Sequence, residues 1–135
     1  MAWREAAFTE LPVGKAEVLR EGTDVAVIGI GPVINRALEA AENIGVYDFK
    51  YLKPLDTLML DSIAAKYRAV VTVEEGSLKG GLYGAVTEYF AQTGYTNPVK
   101  GLGVPDEFIG HGRQADERAA CGLDAAGIAR AIGSV

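Results

Sequence analysis

The chain has 135 residues, 49% of them apolar and 23% charged, with a formal net charge of -5. That length and balance predict one globular domain around one core and exclude a disordered chain. Interspersed charges with no basic stripe exclude a nucleic-acid or anionic-membrane surface, and a single cysteine, Cys121, excludes an internal disulfide or a cysteine zinc cluster.

Residues 1–10 show no period and read as a linker or an added start, and residues 11–135 as the domain. Met1 to Glu5 lacks the basic-then-apolar design of a secretory leader, and no apolar stretch approaches the ~20 residues that cross a bilayer. With the lone cysteine, this predicts a cytoplasmic protein.

Lys15 to Glu21 alternates and ends at Gly22, which predicts an edge strand. Asp24 to Ile30 is a short continuous apolar run, the habit of a strand buried on both faces of a parallel sheet. Pro32 can open a helix carrying Ile34, Ala37, Leu38, Ala41 and Ile44, with Gly45 placed to close it. Val46 to Leu52 reads as the next strand. Asp56 is then a candidate N-cap for a helix with Leu60, Ile63, Ala64 and Tyr67.

Ala69 to Val73 is a valine-rich strand, and Gly80-Gly81 precede a helix with Leu82, Ala85, Val86, Tyr89 and Phe90 that stops at Gly94. Pro98 to Val104 reads as a further strand. Helices are predicted near Arg113 to Ala120 and over Ala125 to Ile132, the latter capped by Asp124. Such alternation predicts an α/β fold. Its sheet is open, three-layered and mostly parallel, with about five strands, one antiparallel edge strand, and helices on both faces.

Ligands of such sheets sit beyond the carboxyl ends of the strands. Gly29-Ile30-Gly31-Pro32 could present helix amides to a phosphate, but Ile34 stands where the third fingerprint glycine belongs, so a tight turn with close helix packing is the plainer reading. Glu74 and Glu75 could divide acid and base roles. Adjacent strand residues point to opposite faces, however, which favours a structural or interface role. Lys79-Gly80-Gly81 could hold an anion at a helix start, or let another backbone approach closely. His111, the only histidine, lies in a glycine-flanked loop with no nucleophile near it in sequence. Cys121 reads as a packed, inert thiol. Glu74, Glu75, Lys79, Gly80, Gly81 and His111 are therefore candidates for an interface or anion site, and no catalytic, cofactor-binding or metal-binding residue is assigned.

Several segments together resemble one family. Leu11-Pro12-Val13-Gly14-Lys15-Ala16-Glu17-Val18-Leu19-Arg20-Glu21-Gly22 and Asp24 to Gly31 look like the opening of the C-terminal domain of 1-deoxy-D-xylulose-5-phosphate synthases, within the transketolase C-terminal superfamily. Lys53-Pro54-Leu55-Asp56, Thr72-Val73-Glu74-Glu75-Gly76 with Gly80-Gly81, Gly103 to Gly112 and Gly122 to Ile128 resemble that family's later motifs, in order and at matching spacing. Lys50-Tyr51-Leu52 and Arg113-Gln114-Ala115 depart from its commoner residues.

The resemblance implies a parent enzyme that condenses pyruvate with glyceraldehyde 3-phosphate, releasing carbon dioxide, at the head of an isoprenoid route. It further implies thiamine diphosphate and magnesium held by N-terminal and central domains, and a homodimer. This chain lacks the Gly-Asp-Gly to Asn cofactor motif, so the resemblance implies a scaffold, inactive alone, whose partners are those missing domains. A domain of a transketolase or a 2-oxo acid dehydrogenase β subunit, a stand-alone phosphate-binding module, and a small enzyme using Glu74, Glu75 and His111 are the alternatives. Trp3, Phe8 and Leu82 are expected on a surface that the missing domains cover.

Overall fold

In the computed structural model, which describes residues 6–135, the valine- and isoleucine-rich runs become the inner strands of one sheet. Its strands are β1 (Glu17–Arg20), β2 (Val25–Ile30), β3 (Gly45–Asp48), β4 (Ala69–Ser77) and β5 (Val99–Val104). The helices are α1 (Ile34–Ala40), α2 (Thr57–Lys66), α3 (Leu82–Thr93), α4 (Gln114–Ala120) and α5 (Ala125–Gly133). The strand order is β1-β3-β2-β4-β5; β1 runs antiparallel to β3 and all other pairs are parallel. This is the predicted open α/β sheet with an antiparallel edge. Trp3 and the first half of the expected linker lie outside the described residues.

Alternation along the strands divides the apolar side chains between two faces, so two cores form where one was expected. Val25, Val27, Val46, Ala69, Val71 and Val73 pack with Ile34 and Ala37 of α1 and Ile128 and Ala131 of α5. Ala26, Ile28, Tyr47 and Val70 face the other way, against Leu60 and Ile63 of α2 and Leu82, Val86 and Phe90 of α3. A fully buried residue of this kind contributes about 1.5–3 kcal/mol, whereas exposed ion pairs such as Arg36–Glu39 contribute about 0–1 kcal/mol. Stability therefore rests on the two sandwiches. Leu82, expected at a surface, is fully buried because the α3 stripe faces the sheet.

Two predicted caps hold. The Asp56 carboxylate accepts from the Met59 amide at 3.1 Å, and from Ala16 N at 2.8 Å, which ties the approach to β1 onto the start of α2. Asp124 accepts from Gly127 N at 2.8 Å. Gly94, at φ 81°, ends α3 in the left-handed conformation.

Gly45 does not close α1, which ends at Ala40; Gly45 is the first residue of β3. It must be glycine there, because a Cβ would stand 2.4 Å from the Tyr67 hydroxyl. The end of α1 and the turn after it are held instead by the Arg20 guanidinium from β1, which donates to Leu38 O at 3.2 Å, to Ala41 O and to Ile44 O at 3.1 Å. The second parallel strand is shorter than expected. It stops at Asp48, whose side chain accepts from Lys50 N at 3.1 Å while Lys50 turns the chain at φ 51°. β4 is longer than expected, because after a register shift Ser77 still pairs with Val104. Among the described residues no helix is long and apolar enough to cross a membrane.

Candidate functional site

From β2 the chain passes through α1 to β3 on one side, and from β3 through α2 to β4 on the other. The order reverses between β2 and β4, so the crevice at their carboxyl ends is the place where this architecture offers a ligand site. Ile30 and Glu74 are paired there.

The β2 side of the crevice is filled. A Cβ on Gly29 would lie 2.4 Å from Ile34 Cδ1 and 2.9 Å from Val73 Cγ2, so this glycine lets α1 pack down onto the strand. Gly31, at φ 82°, makes the turn. Ile34, which occupies the position of a third fingerprint glycine, is the side chain that fills the space.

On the β4 side, Glu74 is 4% exposed and points to the α3 face. Its two carboxylate oxygens accept from the first amides of α3, Leu82 N at 3.0 Å and Tyr83 N at 3.1 Å. A carboxylate suits the positive end of a helix, and charge-assisted bonds are the stronger kind. Gly81 makes the approach possible, since a Cβ on it would stand 1.9 Å from Glu74 Oε1. Gly80 turns the loop at φ 78°. The amides that could have cradled an external anion are thus held by an internal one.

Glu75 points the other way and pairs with Arg118 of α4, both partly buried. Lys79 reaches the β5–α4 loop, with its Nζ 3.0 Å from Asp106 Oδ2, both exposed. His111 lies exposed in that loop, and among the described residues it has no hydrogen bond to Glu74 or Glu75. Gly112 N donates to Glu117 at 2.9 Å. The candidates thus do not converge on one pocket. Instead the end of β4 and the loop after it hold the segment after β5 at two points, through Glu75 and Lys79 respectively. Arg118 and Asp106 escaped sequence reasoning, being 43 and 27 residues from their partners with no local signal.

Magnesium on a diphosphate is held by one or two free carboxylates together with phosphate and water oxygens. Both Glu74 oxygens are taken by amides, Glu75 is taken by Arg118, and among the described residues no group of three or more His, Cys, Asp or Glu could hold a metal ion. Glu74 and Glu75, the two carboxylates at the end of β4, are therefore not free to hold that ion.

Thr72, on the same face as Glu74, has a fully buried hydroxyl with no hydrogen-bond partner. A buried orphan hydroxyl costs about 1–3 kcal/mol. Thr72→Val is therefore expected to raise stability by about 1 kcal/mol, read as a higher urea midpoint at unchanged slope.

Comparison with known proteins then adds the following. Residues 14–128 match the family described as transketolase, C-terminal domain. A 1-deoxy-D-xylulose-5-phosphate synthase of Parabacteroides distasonis is 46% identical, over 96% of this chain and 22% of its own length. That of Bordetella pertussis is 48% identical, over 90% of this chain and 20% of its own. The chain thus spans about a fifth of the length of these curated relatives. A solved structure described as a split gene transketolase, inactive beta4 tetramer, superposes with a TM-score of 0.87 at 34% identity, over 93% of this chain and 43% of that one.

Proposed function

The chain belongs to the transketolase C-terminal domain family, and on that premise we propose that it is the C-terminal scaffold of a 1-deoxy-D-xylulose-5-phosphate synthase, serving assembly while other domains perform the chemistry. The observation that carries this reading is the 46% identity to such a synthase across nearly the whole chain, which makes up only 22% of that relative. The geometry agrees with it: Glu74 and Glu75 are committed to α3 and α4 and are not poised toward a substrate. In this reading the parent, a cytoplasmic transferase, condenses pyruvate with glyceraldehyde 3-phosphate for isoprenoid synthesis, and its thiamine diphosphate and magnesium belong to the preceding domains. The scaffold also brings two copies together. Support for that part is the split-gene neighbour, which is itself described as a tetramer of one kind of chain.

A domain exchange tests the proposal. The P. distasonis synthase carrying this chain in place of its own C-terminal domain is expected to keep pyruvate- and glyceraldehyde-3-phosphate-dependent turnover within about tenfold. This chain alone is expected to give flat titrations with thiamine diphosphate and magnesium. A folded chimera without activity, or turnover by the isolated chain, would overturn the reading.

A further inference from the structure

Residues 105–122 run from the end of β5 to the turn before α5 and carry α4. None of them is buried, the longest such run among the described residues. α1, α2, α3 and α5 each set at least two residues into a core, whereas α4 buries none. A helix of seven residues does not stand by itself in water, and burial does little to hold this one down.

The two ends of the segment are firm. Val104 O accepts from Leu78 N at 3.0 Å, and Leu123 is buried in the first core, directly before the Asp124 cap of α5. Between these ends the chain arches over a cleft of about 370 Å³ whose apolar lining is Val104, Ile109, Cys121 and Leu123. The segment spans that space and does not fill it. Among the described residues it has two polar ties across it, the exposed Lys79–Asp106 pair and the half-buried Arg118–Glu75 pair. Its other hydrogen bonds run within it or to the adjoining Leu123, such as Gly112 N to Glu117 Oε1 at 2.9 Å and Cys121 N to Glu117 O at 3.1 Å, so it can move without losing them. Cys121 touches the first core beside Gly122, which turns the chain at φ 71°.

We propose that residues 105–122 form a strap that opens and closes as one unit, hinged at Val104 and Gly122 and fastened by the Glu75–Arg118 pair. Closed, the strap covers the apolar lining of the cleft. Open, it exposes that lining and frees both members of the pair. A segment with its own internal bonds and few buried contacts is the kind that opens well below the free energy of global unfolding. The fastening is electrostatic, so the loss of one charge undoes it. Of the two ties the half-buried pair dominates, because an exposed pair such as Lys79–Asp106 contributes little, whereas a partly buried charge without its partner is costly. Whatever binds one of the two states better shifts the balance toward it, so the strap makes this edge of the sheet switchable. The device belongs to this chain and holds whatever its parent acts upon.

Hydrogen exchange of this chain, followed amide by amide in low urea, tests the strap. The hydrogen-bonded amides of Glu117, Cys121 and Gly122 are expected to exchange at least about a hundredfold faster than those of α3 and α5. They should also share one urea dependence, smaller than that of global unfolding. Glu75→Gln should raise their exchange about tenfold and leave α3 and α5 unchanged. Arg118→Gln should do the same, while Lys79→Gln should change it by about twofold at most. Trypsin gives an independent readout: cleavage after Arg118, which needs the helix to leave its seat, should quicken about tenfold in Glu75→Gln. Amides of α4 as slow as those of α3 would overturn the proposal, as would amides that open one by one with unrelated urea dependences. Both of those results come from the wild-type chain, so they do not depend on how a variant folds. A Glu75→Gln chain with intact circular dichroism whose α4 exchange and Arg118 cleavage match the wild type would equally overturn it. None of these outcomes bears on whether the domain exchange restores turnover, so the two readings fail separately.

Discussion

Gly81→Ala is expected to lower the unfolding free energy by about 3 kcal/mol or more, a large effect for the addition of one methyl group at a partly exposed position. The new Cβ would stand 1.9 Å from Glu74 Oε1 and 2.8 Å from Ser77 O, so either the carboxylate or the loop must move. If the carboxylate withdraws, the Leu82 and Tyr83 amides lose their acceptor and a buried charge loses its donors. Bonds to a charged group contribute about 1.5–3 kcal/mol each, and orphaned buried groups add to the loss.

Glu74→Ala should cost a similar amount, about 3 kcal/mol, by stranding the same two amides. Because both substitutions break one arrangement, Glu74→Ala with Gly81→Ala should fall short of the sum of the singles by about 1–2 kcal/mol. Urea unfolding of the four proteins measures this. Full additivity would mean that the glycine is needed for some reason other than the carboxylate.

Arg20→Leu should destabilise by about 2–3 kcal/mol, again through a helix end, and should loosen α1 more than α2 or α3. The last carbonyls of a helix need donors, and its negative end favours a cation. α1 has neither a basic residue in its last turn nor a glycine cap. The guanidinium of Arg20 reaches across from the edge strand and donates to carbonyls of Leu38, Ala41 and Ile44. Lysine offers a point charge without the planar fork, so Arg20→Lys should recover less than half of the loss. Hydrogen exchange should show faster opening of the amides over the C-terminal turn of α1 in Arg20→Leu. Unchanged exchange there would show that these bonds do not hold the helix end.

The contrast between these two helix ends and those capped by Asp56, Asp124 and Gly94 separates what was legible in the chain from what was not. Asp56 and Asp124 could be read as caps because their partners lie three residues away, and Gly94 as a terminator because the left-handed conformation is a property of the residue itself. Apolar runs and helical spacing, likewise local, determined the strand–helix alternation and hence the α/β class, and the order of the motifs determined the family.

The tertiary structure alone decided everything that depended on a distant partner. It set Glu74 onto α3 and Glu75 onto Arg118, brought Arg20 to α1, turned Leu82 inward, and put Gly45 under the Tyr67 hydroxyl and not at a helix end. The physical reason is the same in each case. A cap or a turn is a short-range balance of backbone bonds and dihedral angles that nearby residues can satisfy. By contrast, the partner of a long charged side chain, or the reason for a glycine in a strand, is set by which elements the sheet order brings side by side, and no window along the chain contains that order.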